Sequence, residues 1–385
     1  MDVTYIDRPE RTDEVSRVLE GRPSIALDSE AAGFHRYSDR VCLLQLSVSS
    51  GKTFLLDPLA FDPSDLLRPV LEDPGVEVLM HGADYDLRLL DRDLGIRLSG
   101  LFDTQVAAAL LGETGLGLSA LLERHLGIVL PKKYQRADWA IRPLPGEMLE
   151  YAAGDTLHLH DLVEILRKAL EEKGRMAWAL EEFQRLEEVR WEEADEDRDP
   201  VVRVKRAWEL ETRQVARLRE ALIWRDGQAR ARDRAPFRVA GDPALIEAAV
   251  AGPSSRDQLA RISGFPPALA HSPAGDQLLA RFAEIDGTPT SELVPHPPRE
   301  RRGPGRPLPE EEELAERLKG ARNKKAGELG LDRGTLLSNG VILEIAREAP
   351  TDLEALLQIP GIRRWQAEVV GEDLLSILRK SAARR

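Results

Sequence analysis

The chain has 385 residues, 42% hydrophobic and 31% charged, with one cysteine, Cys42. That is length for two or three domains of roughly 100–200 residues, apolar enough to bury cores, and a lone cysteine excludes a disulfide framework. The net charge of −13 divides unevenly, 23 Lys+Arg against 40 Asp+Glu in residues 1–200 and 31 against 27 in residues 201–385, so the acidic front half argues against a polyanion ligand unless cations intervene.

No apolar run reaches the ~18–20 residues that span a bilayer, and MDVTYIDRPERTDE lacks a basic stretch leading into an apolar one, so a cytoplasmic protein is expected. In chain order, residues 24–27, 41–48, 53–56 and 76–80 read as strands separated by turn formers. Residues 65–71, 84–94, 104–111 and 118–126 read as helices, 84–94 from the spacing of Tyr85, Leu87, Leu89, Leu90 and Leu94. A loop with Pro131, Pro143 and Pro145 precedes one long amphipathic helix over 147–170. Strands early and helices late predict an α/β domain, a mixed sheet flanked by helices, over 1–195. The acid-rich stretch 187–200 closes it as a helix tail or linker. A second linker, 291–309, rich in Pro, Gly and charge, separates two all-α stretches, 205–290 and 310–385. Those stretches repeat one another. A shift of 97 positions places Leu245 on Ile342, Glu247 on Glu344, Pro253 on Pro350, Leu259 on Leu356 and Gly264 on Gly361 without a gap. Two copies of a small helical module are too few for a solenoid.

Three places could carry chemistry. Asp28 and Glu30 stand two apart at the end of an apolar run, and i, i+2 residues of a strand share a face. A solvated strand end is the plain alternative. Asp86 shares its helix face with Leu89 and Leu90 and points inward, whereas Asp84 reads as an exposed cap. Tyr151 and Asp155 stack at i, i+4 on a face that Leu159 and Leu162 continue; a buried Tyr–Asp hydrogen bond would also explain them. If they converge, four carboxylates push one another's pKa upward, and two divalent cations supply +4 against −4. All-oxygen ligation suits Mg²⁺ or Mn²⁺. Two such ions about 3.5–4 Å apart can clamp the attacking and leaving oxygens of a phosphodiester, with the phenol orienting or helping deprotonate the attacking water.

Other residues are weighed the same way. Phe34, His35 and Tyr37 offer stacking faces for a base, with packing the plainer reading. Trp139 reads as packing. Arg136 and Arg142 stand open between a phosphate contact and the surface, as do Lys132 and Lys133. His81, His158 and His160 read as structural, Gln45 as a satisfied buried hydrogen-bonder and Cys42 as a small core hydrophobe. Arg225, Arg230, Arg232, Arg234 and Arg238 could hold RNA phosphates or form a face balanced by Asp226 and Asp233. RERRGPGRP reads as a spacer.

The segments ALDSEAAG, HGADYDLRLLDRDLG, LFDTQVAA and RADWAIRPLPGEMLEYAAGD, followed by the helical repeats, resemble the ribonuclease D family, the tyrosine-bearing subtype of the DEDD exonuclease superfamily. The resemblance covers nearly the whole chain. The middle motif is also similar to the nuclear-exosome exonuclease. The resemblance implies an RNase H-like catalytic domain and two helicase-and-RNase-D-C-terminal (HRDC) modules. It implies that Asp28, Glu30, Asp86 and Asp155 hold two divalent ions, with Asp28 between both, Glu30 and Asp155 completing one site and Asp86 helping the other. Tyr151 would position the water. The implied activity is a metal-dependent 3′→5′ exoribonuclease that releases nucleoside 5′-monophosphates from RNA with a free 3′ end, tRNA precursors and small stable RNAs in particular. No small-molecule cofactor and no membrane partner are expected, and a monomer is the simplest assembly. The first copy departs from the pattern in RISGFPPALAHSPAG, which is proline-rich for a helix junction. A DNA exonuclease for repair, or a catalytically silent RNA-binding scaffold, are the alternatives; the motifs do not separate ribose from deoxyribose.

Overall fold

The structure is a computed structural model that describes residues 2–131, 133–193, 198–298 and 305–382. Its first unit is built on six strands, β1 (Asp2–Ile6), β2 (Ser24–Ala31), β3 (Val41–Ser47), β4 (Lys52–Leu56), β5 (Glu77–Met80) and β6 (Leu101–Asp103), in the order β1-β4-β3-β2-β5-β6. β3 runs antiparallel to both neighbours and the remaining pairs are parallel, so the sheet is mixed. Helices α1 (Thr12–Leu19), α2 (Ser64–Leu71), α3 (Asp84–Leu94), α4 (Thr104–Leu111), α5 (Leu118–Leu126), α6 (Gly146–Leu157), α7 (Leu159–Glu172) and α8 (Met176–Glu187) surround it.

Four of these elements, β1, α1, β6 and α8, are missing from those that periodicity predicts. β1 is an edge strand that buries only Ile6, and α1 buries only Val15 and Leu19, so neither carries a strong apolar pattern. β6 has three residues, too few for a period, and exists because it pairs with β5. The single helix expected over 147–170 is in fact two. His158 leaves helical geometry (φ −107°, ψ 6°), and its N–H bonds the Thr156 carbonyl. The break separates two faces. Tyr151 and Ala152 on α6 pack over the β2–β4 face with Leu43 and Leu55, whereas Leu159 and Leu162 on α7 enter a different core with α4 and β5. Leu159 and Leu162 therefore do not extend the Tyr151–Asp155 face.

The remaining chain is helical. The first module holds α9 (Thr212–Ala231), α10 (Pro236–Val239), α11 (Asp242–Ala251), α12 (Arg256–Ala260), α13 (Pro267–Ala270) and α14 (Pro273–Gly287). The second holds α15 (Pro309–Leu329), α16 (Arg333–Leu336), α17 (Asn339–Glu348), α18 (Leu353–Leu357) and α19 (Arg364–Ala382). α11 and α12 map onto α17 and α18 under the 97-residue shift, and Gly264 and Gly361 both take positive φ, 76° and 91°, where glycine is at ease. Arg225 bonds the Ala240 carbonyl and Asp242 Oδ1, and Arg322 bonds the Leu337 carbonyl and Asn339 Oδ1, the same contacts 97 residues apart. Arg225 therefore belongs to the module's architecture and is spent on it. The prolines of the divergent first copy begin helices, Pro267 in α13 and Pro273 in α14, where a missing N–H costs nothing.

The two modules attach differently. The second shares one hydrophobic core with the α/β unit, and Trp365 stacks on Trp178 at 4.8 Å. Glu181 accepts the Arg364 and Trp365 backbone N–H groups at the start of α19. A Cβ on Gly112 would lie 1.8 Å from the Gly330 carbonyl oxygen, so only glycine lets the two backbones meet there. The first module has its own core and meets the α/β unit at the β2–β3 loop, whose Tyr37 packs against it. Most of RERRGPGRP, all but residues 305–307, lies outside the described residues, as do Lys132 and part of the acidic stretch, 194–197. Among the described residues, no helix is long and apolar enough to cross a membrane.

Arg142 is a structural residue. Its guanidinium bonds Asp57 at 2.5 and 2.6 Å and the carbonyls of Cys42, Trp139 and Ile141. Asp57 is 2% exposed and also accepts the Tyr5 hydroxyl. Burial pushes the Asp57 carboxyl up, yet the bonds from Arg142 and Tyr5 hold it below the usual range. Arg142→Ala leaves that charge buried and unpaired and is expected to cost about 3–5 kcal/mol, read as a lowered midpoint of urea unfolding.

Candidate active site

The site forms at the carboxyl end of β2, on the side where its parallel neighbour β5, and β6 beyond it, also end, where open α/β sheets place their ligands. Asp28 and Glu30 project from one face of β2. Asp155 reaches them from α6, which lies across that face. One carboxylate oxygen each from Asp28, Glu30 and Asp155 falls within 4.8 Å of the others. Asp86, buried on the first turn of α3, stands beside this trio and accepts a hydrogen bond from the hydroxyl of Ser29, which points away from the Asp28–Glu30 face. Asp84 is exposed and pairs with Arg88. Tyr151 lies on α6 one turn before Asp155, nearly buried between Trp139 and Tyr134 at centroid distances of 6.1 and 5.9 Å. Among the described residues its hydroxyl makes no hydrogen bond to Asp155, so the simple Tyr–Asp pair does not describe this place.

Electrostatics set the character of the site. Among the described residues no Lys, Arg or His forms an ion pair with any of the four carboxylates. Burial, with repulsion from Asp86 and Asp155, lifts Asp28 well above the carboxylate range. Glu30 is pushed up to about 10 by burial and by Asp28, Asp155 and Asp86. Asp155 rises to about 7 and Asp86 to about 6, in both cases chiefly by burial. Burial and the three nearby carboxylates also raise Tyr151. Such a set is costly alone and suited to hard divalent cations, whose charge and oxygen preference answer it. Gln45 adds to the fit. It faces Asp28 directly across the antiparallel β2–β3 pair, fully buried, and neither carboxamide atom has a hydrogen-bond partner.

Asp103 is a positioning residue that the periodicity of the sequence does not single out. Its carboxylate caps α4 through Gln105 and Val106 and accepts the Ala83 N–H at 2.7 Å, fixing the start of the helix that carries Asp86. An Asp immediately before an apolar helical run was the available signal. His81 bonds Thr104 Oγ1 at 2.9 Å and is held neutral by burial. Lys133 pairs with Glu147. Trp139 is core, and the Cys42 thiol, buried, is pushed up to about 12.

The family pattern for 3′–5′ exonucleases matches residues 3–171, and that for the HRDC domain matches 214–280 and 311–378. The chain is 30% identical over 384 residues to the ribonuclease D of Granulibacter bethesdensis, spanning 97% of this chain and 92% of that one. The chain belongs to the ribonuclease D family. The ribonuclease D of Pseudomonas paraeruginosa is 32% identical over 360 residues, with 93% and 92% of the two chains covered. Among solved structures, the Escherichia coli ribonuclease D, described as an exoribonuclease involved in structured RNA processing, superposes with a TM-score of 0.68 at 26% identity over 99% of both chains. The α/β nuclease unit and the two helical HRDC modules expected from the ribonuclease D resemblance are the architecture observed.

Proposed function

We propose that this member of the ribonuclease D family, a 3′→5′ exoribonuclease that uses divalent metal, trims the 3′ ends of tRNA precursors and other small stable RNAs with a pair of Mg²⁺ or Mn²⁺ ions held by Asp28, Glu30, Asp86 and Asp155. The observation that carries the reading is three carboxylates, Asp28 and Glu30 from β2 and Asp155 from α6, meeting without a cationic partner, with Asp86 near enough to raise Asp28 and Glu30. When bound, the ions supply the positive charge that an in-line displacement needs on its attacking and leaving oxygens. The family resemblance would put Asp28 between both ions, with Glu30 and Asp155 completing one site and Asp86 helping the other; Asp28 feels both Asp86 and Asp155, in keeping with that division. The Tyr151 hydroxyl, at the edge of the trio, orients the attacking water. The division into a nuclease domain over 1–195 and helical domains over 205–290 and 310–385, with a linker at 291–309, belongs to the same proposal, the modules holding structured RNA while the acidic domain trims its end. A 3′-labelled RNA incubated with and without Mg²⁺ or Mn²⁺ tests it. Single nucleotides released only with metal support it, and internal cleavage or metal-free release overturns it. Matched DNA overhangs compare the two sugars.

Gln45→Leu carries a further expectation. Removing two unsatisfied buried polar atoms should raise the metal-free unfolding midpoint by about 1–2 kcal/mol of stability. If the carboxamide supports a ligating carboxylate, the same change weakens divalent-ion binding by roughly 10-fold or more. Calorimetric titration with Mn²⁺ and thermal unfolding in chelator read the two effects, which have opposite signs.

A further inference from the structure

Phe34 follows Glu30 by four residues, so it lies within about 14 Å of it along even a fully extended chain. It is 44% exposed, and Phe237 from α10 of the first module, 51% exposed, stands 5.4 Å from it at an interplanar angle of 51°. The Arg238 guanidinium lies 4.7 Å over the Phe34 ring and 5.7 Å over the Phe237 ring, and Arg136 lies 5.8 Å from the Phe34 ring on the catalytic side. Backbone bonds hold the seam shut. Arg238 Nε donates to the Phe34 carbonyl at 2.7 Å, and the Ala235 N–H donates to the His35 carbonyl at 3.1 Å. His35 Nε2 meets the Arg136 carbonyl at 2.8 Å. Arg232 and Arg234 are exposed just before α10 in the chain, while the carboxylate of Asp233 is turned to Arg36 and the Tyr37 N–H.

A seam that served only to weld the two units would bury its rings. This one leaves two aromatic rings half open, flanked by guanidinium planes, on a chain whose catalytic half is strongly acidic. Aromatic rings and arginine planes are the surfaces on which unpaired bases stack, and the same arginines attract phosphates. We propose that the Phe34–Phe237 seam is a stacking platform for the single-stranded 3′ segment of the RNA, assembled jointly by the catalytic unit and the first helical module, just upstream of the carboxylates. Tyr37 plays no part in it, since its ring packs against the core of the first module and is covered by the Arg230 guanidinium at 5.2 Å. The platform rests on the RNA reading above and adds to it where the strand lies.

The test is binding of a short 5′-labelled single-stranded RNA to the full chain in chelator at low salt, followed by fluorescence anisotropy. Phe34→Ala and Phe237→Ala each weaken binding roughly 5- to 100-fold. Phe237→Trp keeps the wild-type affinity, and its added indole emission is quenched as RNA is titrated in. Wild-type affinity in both alanine variants, unquenched emission from Phe237→Trp, or a wild-type chain that binds no RNA without metal overturns the platform. Failure of the nuclease reading shows instead as RNA degradation that persists in Asp28→Asn, so the two failures are distinct.

Discussion

Asp28→Asn should give a folded protein that no longer trims RNA. Asp28 is the carboxylate most coupled to the others, feeling both Asp86 and Asp155, and in the proposed site it serves both ions. Losing it removes several kcal/mol of charge stabilisation from the displacement, about 4–6 kcal/mol, or roughly 10³- to 10⁴-fold in single-turnover rate. The fold should not suffer. Repulsion and burial already disfavour the charged form of Asp28, so an amide of the same shape relieves strain, and the chelator-treated variant should unfold no earlier than wild type. Wild-type degradation of 3′-labelled RNA by this variant would remove Asp28 from the chemistry.

The second large effect is on stability. Without metal, the folded chain holds protons on Asp86 to about pH 6, on Asp155 to about 7 and on Glu30 to about 10, whereas in the unfolded chain these groups lose them near 4. Above pH ~4 the unfolded state therefore binds fewer protons than the folded one, and stability falls as pH rises. The contribution is present in full below the unfolded values and is lost progressively through about pH 4 to 7 for the aspartates and further for Glu30. Each group costs at most about 1.4 kcal/mol per pH unit in its window, less where solvent reaches the pocket. Divalent cations bind the deprotonated set and should reverse the trend, so that Mg²⁺ raises the unfolding midpoint more at pH 8 than at pH 5. A metal increment independent of pH would contradict ligation by these carboxylates.

Much of the molecule was legible in advance because its signals are local. Apolar spacing located α3, α4 and α5. The 97-residue repeat held because Pro253 and Pro350, and Gly264 and Gly361, serve the same turns in both modules. Elements that exist only through partners were not legible. β1 and β6 lack periods of their own, and the break at His158 arises where α6 and α7 turn toward different cores. The arginines show the same limit. Arg142 and Arg225 look equally free in sequence, yet one compensates Asp57 and the other closes a module, while Arg136 and Arg238 flank an open aromatic seam.

By itself, the order of residues determined that Asp28 and Glu30 share a strand face, that Tyr151 and Asp155 share a helix face, and that one helical module occurs twice. These follow from backbone geometry within a few residues. Only the tertiary structure decided that the two faces meet with Asp86 nearby, that Gln45 lies across from Asp28 on the next strand without a partner, and that Phe34 finds Phe237 across a seam between units. A carboxylate at a strand end reads the same whether water or another carboxylate lies opposite. Asp28 and Glu30 repel as near neighbours, but the repulsion that Asp86 and Asp155 add comes from more than fifty positions away and appears only when the fold closes that distance.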